Sequence, residues 1–137
     1  MGRNTSTGGI LEAMVLPALN HGGYVWEKQV NIGRRPGGGL HKVDAVIAKN
    51  SRKMLLSLKW QQVGGTAEQK VPFEIICLLE AVRSGEFEKA YLVLGGEGWR
   101  LREFYTSGGL RNHIEYAPEV EIMTLESFVG KANVGKI

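Results

Sequence analysis

Three polar residues on two neighbouring stretches of the chain have side chains suited to phosphate chemistry. Asp44 lies in "LHKVDAVIAK", and Ser57 and Lys59 lie in "MLLSLKW". Side chains alternate between the two faces of a strand, so Ser57 and Lys59 share a face opposite to the core residues of their strand. A half-buried lysine is rare without an anionic partner. The pattern therefore predicts that Lys59 meets an anion at this surface.

Asp44 is expected to lie close to Lys59 in the folded protein. By alternation Val43, Ala45 and Ile47 share one face, so Asp44 points to the opposite side. The short connection between the two stretches predicts that their strands pair, which brings Asp44 beside Lys59. A carboxylate is a hard oxygen ligand for Mg²⁺, and a lysine holds a phosphate or positions an attacking water. The combination favours phosphodiester hydrolysis.

The elements that must position these residues follow from the periodicity of the sequence. A helix is predicted over residues 9–20, with Pro17 kinking it or ending it early. The elements predicted after it are three strands on short connections (24–32, 40–49 and 54–60), a helix (66–85), a strand (89–96), a short helix or turn (99–109), a strand (120–125) and a terminal helix (125–132). The first three strands read as an antiparallel meander. The order predicts an α/β fold, a mixed central sheet flanked by helices on both faces.

The helix over 66–85 carries two signals about its start. Thr66 and Gln69 have the spacing of a capping box. Pro72 disagrees with that start, because a proline inside a helix removes a hydrogen bond. It is expected either to kink the helix or to move its start nearer Val71.

Composition limits the classes of protein that fit. The chain has 137 residues, and we expect a single domain over 1–137 with a flexible tail at 1–8. The net charge of +3 permits nucleic-acid binding without requiring it. The single Cys77 is expected to be buried and free. With no signal-peptide pattern and no apolar run of membrane-spanning length, a cytoplasmic protein without a membrane partner is expected.

The stretch "VDAVIAKNSRKMLLSLKW" resembles the core of the PD-(D/E)XK nuclease superfamily, in which an aspartate on one strand is followed by an acidic-x-lysine tripeptide on the next. The predicted order of elements from Gly9 to Leu125 is similar to that restriction-endonuclease-like fold. The resemblance implies a DNA endonuclease of restriction, homing or junction-resolving type. It also implies Mg²⁺ as cofactor, with Mn²⁺ able to substitute.

The resemblance assigns roles residue by residue. Asp44 matches the metal-binding aspartate, Lys59 matches the catalytic lysine, and Leu58 would offer its backbone carbonyl to the metal. Ser57 stands where the second carboxylate belongs, and a hydroxyl is a much weaker metal ligand. Some restriction endonucleases with the same serine-x-lysine recover the missing carboxylate from the following helix.

Two acids on the following helix are candidates for this role. Glu68 and Glu74 are separated by roughly 9 Å along the helix axis, so they are not interchangeable. We prefer Glu68, because the short loop keeps it near Lys59, although Glu74 is closer to the spacing of the migrated acid. Glu12 on the first helix resembles an extra glutamate of junction resolvases and other branches. Gln61, on the face of Lys59, is a candidate to bind a phosphate or a water beside the metal.

Basic residues in predicted turns are candidates for DNA contacts. Arg34 and Arg35 lie in a glycine-rich loop, and Arg52 and Lys53 lie in the turn before the third strand. Such residues contact the phosphate backbone without reading its sequence. One chain would hold one site, so cutting both strands predicts a homodimer or a subunit of a larger nuclease assembly.

Two other functions fit the same residues. The chain could be a noncatalytic DNA-binding or assembly module, in which Ser57 marks the loss of the metal site. It could also be a small-molecule enzyme whose Asp44 and Lys59 form an unrelated acid–base pair. A purely structural ion pair between Asp44 and Lys59 is a further interpretation. The three histidines lack metal-ligand spacing and are interpreted as surface or core residues.

Overall fold

The computed structural model describes residues 7–116 and 118–137. The strands are β1 (Val25–Arg34), β2 (Leu40–Lys49), β3 (Arg52–Trp60), β4 (Lys89–Gly95) and β5 (Val120–Thr124). The α-helices are α1 (Thr7–Ile10), α2 (Leu16–His21), α3 (Ala67–Arg83), α4 (Arg102–Thr106) and α5 (Leu125–Asn133). A π-helical turn (Leu11–Val15) joins α1 to α2, and a 3-10 turn (Gly109–Asn112) follows α4. The described helices are all too short or too polar to cross a membrane.

The strands form one mixed sheet in the order β1-β2-β3-β4-β5. β1, β2 and β3 are antiparallel neighbours, as their short connections predict. β3, β4 and β5 run parallel, so each following strand needs a crossover, and α3 and α4 lie in these connections. The predicted α/β fold, with a mixed sheet flanked by helices, is confirmed.

Each face of the sheet carries a hydrophobic core. On one side, here the α2 face, Leu11 and Phe128 pack with strand residues such as Leu58. On the opposite side, the α3 face, Ile75 and Tyr105 pack against the sheet. Both cores are closed by helices, so the strands are positioned firmly from two sides.

The first helical segment differs from its prediction in two ways. Thr7 and Gly8, expected to belong to a flexible tail, form the start of α1, and residues 1–6 lie outside the described part of the chain. Pro17 does not end the helix, since α2 continues to His21. Pro17 instead lies at the junction between α2 and the π-helical turn before it, which is wider than an α-turn.

The start of α3 is not fixed by a capping box. The helix begins at Ala67, and the side chain of Thr66 makes no capping hydrogen bond, so that prediction is wrong. The Ala67 N–H instead donates to the Gln61 Oε1 atom at 3.0 Å. A side chain from the end of β3 therefore satisfies a donor that the helix itself leaves free.

Pro72 lies inside α3 without moving the start of the helix towards Val71. A proline at this position cannot donate to the carbonyl four residues earlier, which is that of Glu68. The Tyr105 hydroxyl of α4 donates to the Glu68 carbonyl at 2.7 Å. The hydrogen bond lost at Pro72 is thus replaced from another helix.

Cys77 lies on α3 and is buried, with a free thiol, as expected. Burial raises the pKa of this thiol. A thiol whose thiolate is disfavoured is a poor nucleophile. Cys77 therefore acts as a small core residue.

Candidate active site

Asp44 lies at the point where β2 and β3 part. The pairing between these strands ends at Ala45 and Leu56. Beyond that pair, the Asp44 Oδ2 atom accepts a hydrogen bond from the Leu58 N–H at 2.7 Å. The carboxylate thus takes the place of a bond between the strands and is held in the gap that opens between them.

The backbone of Leu58 points into the same gap. Further along the strand direction, the Gln61 N–H donates to the Gly95 carbonyl of β4 at 3.0 Å. Backbone groups of successive residues point to opposite edges of a strand, so Lys59 turns its backbone towards β4 and Leu58 towards β2. The N–H and C=O of one residue point the same way, and the Leu58 carbonyl therefore faces the side of Asp44. This is the direction that a carbonyl ligand would need.

The alternation of side chains along β2 breaks at Asp44. Ala45 and Ile47 pack on the α2 face, but Val43 packs on the α3 face. The prediction that these three share one face is therefore wrong. Opposite the break, Gln29 of β1 has a left-handed backbone with φ of 56°. The break turns Asp44 towards the neighbouring strand instead of into either face.

Glu74 of α3 reaches the same region from the α3 face. Its carboxylate accepts a hydrogen bond from Ser57, and the His41 Nε2 atom lies 3.5 Å from Oε2. Within residues 7–116 and 118–137, His41 Nε2 is the single buried side-chain polar atom without a hydrogen-bond partner. Helix α3 thus supplies a second acid, and Ser57, at the position of the usual acid, orients it.

The two carboxylates differ in how readily they hold a charge. Burial raises the pKa of Asp44 above its ordinary value, despite the opposing effects of the Leu58 N–H and Lys59. Burial also acts to raise the pKa of Glu74, but His41, Lys59 and the Ser57 hydroxyl outweigh it, and that pKa is lowered. A cation placed between the acids would favour the charged form of Asp44.

The acids and Lys59 line one cleft, with a volume of about 430 Å³. Positively charged side chains surround it, namely Arg35, Lys42, Lys59 and Lys70. In the described part of the chain, Lys59 forms no ion pair. The structural ion pair between Asp44 and Lys59 is therefore not formed, and the ammonium faces a cleft that an anion can enter.

Two residues assigned to the site lie outside this cleft. Glu68, our preferred second acid, accepts a hydrogen bond from the Leu101 N–H at 2.6 Å and does not line the cleft. Gln61 uses its amide internally, since Nε2 donates to the Gly98 carbonyl and Oε1 accepts from the Ala67 N–H. Both side chains therefore hold neighbouring segments of the backbone in place through hydrogen bonds. The structure places Glu74, and not our preferred Glu68, in the cleft, and the identity of the second acid stays a prediction.

Glu12 also lies apart from Asp44. It sits on the π-helical turn, is exposed, and forms an ion pair with Lys28 of β1. Together with Gln29 this pair lines a different cavity of about 560 Å³. That cavity is larger than the cleft but lacks Asp44 and Glu74. The structure does not bring Glu12 into the cleft.

The four basic residues proposed for DNA contacts separate into two groups. Arg35 lines the cleft, whereas Arg34 does not, and its guanidinium donates to the Gly38 carbonyl. Arg52 and Lys53 begin β3, seven and six residues before Lys59, which places them roughly 20 Å or more away along the strand. Arg52 is also paired with an acid, at 2.9 Å from Glu88. These two residues are not part of the cleft.

The donors in the cleft suit a hard cation. No cluster of three or more His, Cys, Asp or Glu side chains arranged for a metal occurs among the residues that the structure describes. Two carboxylates and one backbone carbonyl are all oxygen donors. Mg²⁺ is usually bound by one or two carboxylates and completes its shell with waters and substrate phosphates. Asp44, Glu74 and Leu58 therefore fit Mg²⁺.

The sequence matches the family model of the PD-(D/E)XK nuclease superfamily domain over residues 3–136. The chain belongs to this superfamily. No curated protein matches the sequence. The crystal structure of a protein of unknown function, AF1548, is similar with a TM-score of 0.50 and 10% identity, over 80% of this chain. The chain spans 54% of that protein, and a likeness at this identity shows the fold alone.

Members of the PD-(D/E)XK superfamily are generally nucleases that use divalent metals, so the predicted family and nuclease fold are confirmed. Three ionisable residues of the cleft were missed from the sequence, namely His41, Lys42 and Lys70. Lys70 lies one turn before Glu74 on α3, a spacing that places both on one helix face. This spacing points to Lys70 only if Glu74 has already been taken as the second acid. His41 had no such signal, because the break at Asp44 changes which face its side chain meets.

Proposed function

We propose that this PD-(D/E)XK protein is a Mg²⁺-dependent endonuclease that hydrolyses phosphodiester bonds in DNA. One observation carries the proposal: Asp44, Glu74 and Lys59 converge on a single cleft, and that cleft has a cationic rim. The two acids can hold a divalent cation, and the lysine can position the attacking water, so together they can support phosphodiester hydrolysis. A cationic rim suits a substrate that carries a negative charge on every nucleotide.

Each residue has a separate role in the proposed reaction. The carboxylates of Asp44 and Glu74 and the carbonyl of Leu58 would hold Mg²⁺. When bound, Mg²⁺ offsets negative charge on the scissile phosphate and makes water a better nucleophile. The Lys59 ammonium donates hydrogen bonds to the phosphate and the attacking water, and keeps them in line.

Other residues hold these groups or the substrate in place. Ser57 donates a hydrogen bond to the Glu74 carboxylate, and His41 lies beside it, so both restrict where this acid can lie. Arg35, Lys42 and Lys70 contact phosphates on either side of the cut. Because fixed charges and donors need no rearrangement during the reaction, their placement lowers the barrier more than flexible groups would.

One chain offers one such site, and a double-strand cut needs two. We infer that a homodimer or a larger nuclease assembly places two sites on opposite DNA strands. The proposed enzyme would be an endonuclease of restriction, homing or junction-resolving type. Cleavage of supercoiled DNA to nicked rather than linear product would indicate that a single chain acts alone.

The experiment compares cleavage of supercoiled, linear and four-way-junction DNA with Mg²⁺ or Mn²⁺. Asp44→Ala, Lys59→Ala and Glu74→Ala are each expected to lower the cleavage rate by roughly 100-fold or more, since each removes a group that acts on the transition state. Glu80→Ala is the matched control, because Glu80 is an exposed acid on the same helix. It is expected to cut like the wild type.

Other outcomes would change the assignment. Full activity in Glu74→Ala, with loss in a folded Glu68→Ala variant, would return the second acid to Glu68. A folded wild type that binds DNA in a salt-sensitive way but never cuts would favour the noncatalytic module. Absence of DNA binding would favour a small-molecule enzyme with Asp44 and Lys59 as its acid–base pair.

A further inference from the structure

Gln29 has a strained backbone in the middle of β1. Its φ of 56° lies in the left-handed region, whereas strand residues are extended. A glutamine rarely adopts this conformation, because its Cβ is crowded there. Such a residue persists only when the surrounding structure imposes it, and it is found preferentially at functional sites.

The strain at Gln29 coincides with the break in β2. The pairs Lys28 with Ala45 and Val30 with Val43 flank the position, but no pair joins Gln29 to Asp44. On one side of this gap the paired residues face α2, and on the other side they face α3. A left-handed residue rotates the chain that follows it relative to an extended strand. The left-handed residue in β1 thus lies opposite the point where β2 changes face and where Asp44 turns towards Leu58.

The side chain of Gln29 acts on the same carboxylate. It forms a hydrogen bond with Asp44, which favours the charged form. It also lines the cavity that contains Glu12 and Lys28. Gln29 therefore lies between this cavity and Asp44, and both its backbone and its amide influence the acid.

We propose that Gln29 is a positioning residue for Asp44, whose left-handed backbone turns the carboxylate into the gap between β2 and β3 and whose amide fixes it there. This inference rests on the proposed function, because it concerns how the Mg²⁺ ligand is aimed. Gln29 itself contacts neither metal nor DNA. The strain in β1 is retained because it preorganises the ligand before the cation arrives.

Two variants separate the backbone from the side chain. Gln29→Gly removes both the strain and the amide, while Gln29→Ala removes the amide and keeps the strain. Ser51→Gly is the matched control, because Ser51 also has positive φ, 69°, but lies in the turn at the far end of β2 and β3. The readouts are the thermal midpoint without metal, the Mg²⁺ concentration that gives half the maximal cleavage rate, and the KM for DNA.

Gln29→Gly and Ser51→Gly are both expected to raise the thermal midpoint measured without metal. Gln29→Gly is also expected to need roughly 10-fold more Mg²⁺ to reach half its maximal cleavage rate. Gln29→Ala is expected to need more Mg²⁺ without the gain in midpoint. The KM for DNA stays within about twofold in both, which a general loss of structure would not allow.

Wild-type Mg²⁺ dependence in both Gln29 variants would overturn the inference and leave the proposed function standing. A wild type with no cleavage and no metal-induced rise in midpoint would refute the proposed function, and the role of Gln29 would fall with it. The two failures are distinguished by the wild type alone.

Discussion

At the scale of single residues, Asp44, a ligand in the proposed cation site, lowers the stability of the folded protein when it is charged. Burial raises the pKa of Asp44, so folding favours the protonated form. Stability therefore falls as pH rises from the ordinary pKa of an aspartate through the raised value, and the full loss is present above that window. Under the proposed function, a bound cation would compensate for this buried charge.

Asp44→Asn is expected to raise the thermal midpoint in EDTA at neutral pH by a few degrees. The substitution removes the buried charge, while the asparagine oxygen can still accept from Leu58. The gain should shrink as pH falls towards the carboxyl range, and Mg²⁺ should stabilise the wild type more than the variant. Glu119→Gln, at an exposed acid, is the control. A lower midpoint for Asp44→Asn at neutral pH would mean that the carboxylate's hydrogen bond outweighs its burial.

Ser57 is a residue whose role only the fold makes clear. In the sequence it appears as the absence of an acid from the acidic-x-lysine pattern. In the structure its hydroxyl is buried and bonds to Glu74, which approaches from α3. In the proposed site the second acid comes from α3, and the neutral residue on β3 avoids a third buried carboxylate beside Asp44 and Glu74. Like charges so close together would be strongly unfavourable.

At the scale of elements, α3 depends on α4 for a hydrogen bond that Pro72 removes. Tyr105→Phe leaves the Glu68 carbonyl without its donor and is expected to lower the free energy of unfolding by about 1–3 kcal/mol. Pro72→Ala restores an N–H that can reach this carbonyl within the helix. The loss caused by Tyr105→Phe should therefore be smaller in the Pro72→Ala background. Urea denaturation of the four proteins measures this coupling. Equal losses in both backgrounds would mean that the tyrosine does not compensate for the proline.

The elements also show which parts of the site the sequence predicts. The pairing of β2 with β3, which brings Asp44 and Lys59 to one cleft, follows from the short connection between the two strands, because this pairing is local. The choice between Glu68 and Glu74 does not, because it depends on whether Leu101, more than 30 residues later, occupies one of them. The break at Asp44 arises from one left-handed residue, Gln29, and no residue type demands that conformation there.

At the scale of the whole molecule, the positions of the charged residues say more about DNA binding than the net charge does. The chain has 17 Lys and Arg against 14 Asp and Glu, an excess too small to attract DNA to every surface. Arg35, Lys42 and Lys70 gather at the cleft from a hairpin, β2 and α3. Arg52 is paired with Glu88 at the opposite end of β3. DNA is therefore expected to cross the cleft and not the β2–β3 turn.

The salt dependence of DNA binding tests this expectation. Each phosphate contact adds about 0.9 to the slope of log affinity against log salt concentration. Lys42→Ala and Lys70→Ala are each expected to lower that slope by about one, measured in EDTA so that no DNA is cut. Lys53→Ala removes the same charge from the far end of β3 and should leave the slope unchanged. A smaller slope for Lys53→Ala, with wild-type slopes for the two cleft variants, would place DNA on the turn and separate binding from the cleft. A change in the cleft variants alone would tie the binding surface to Asp44, Glu74 and Lys59, because the cations removed line the same cleft as these groups.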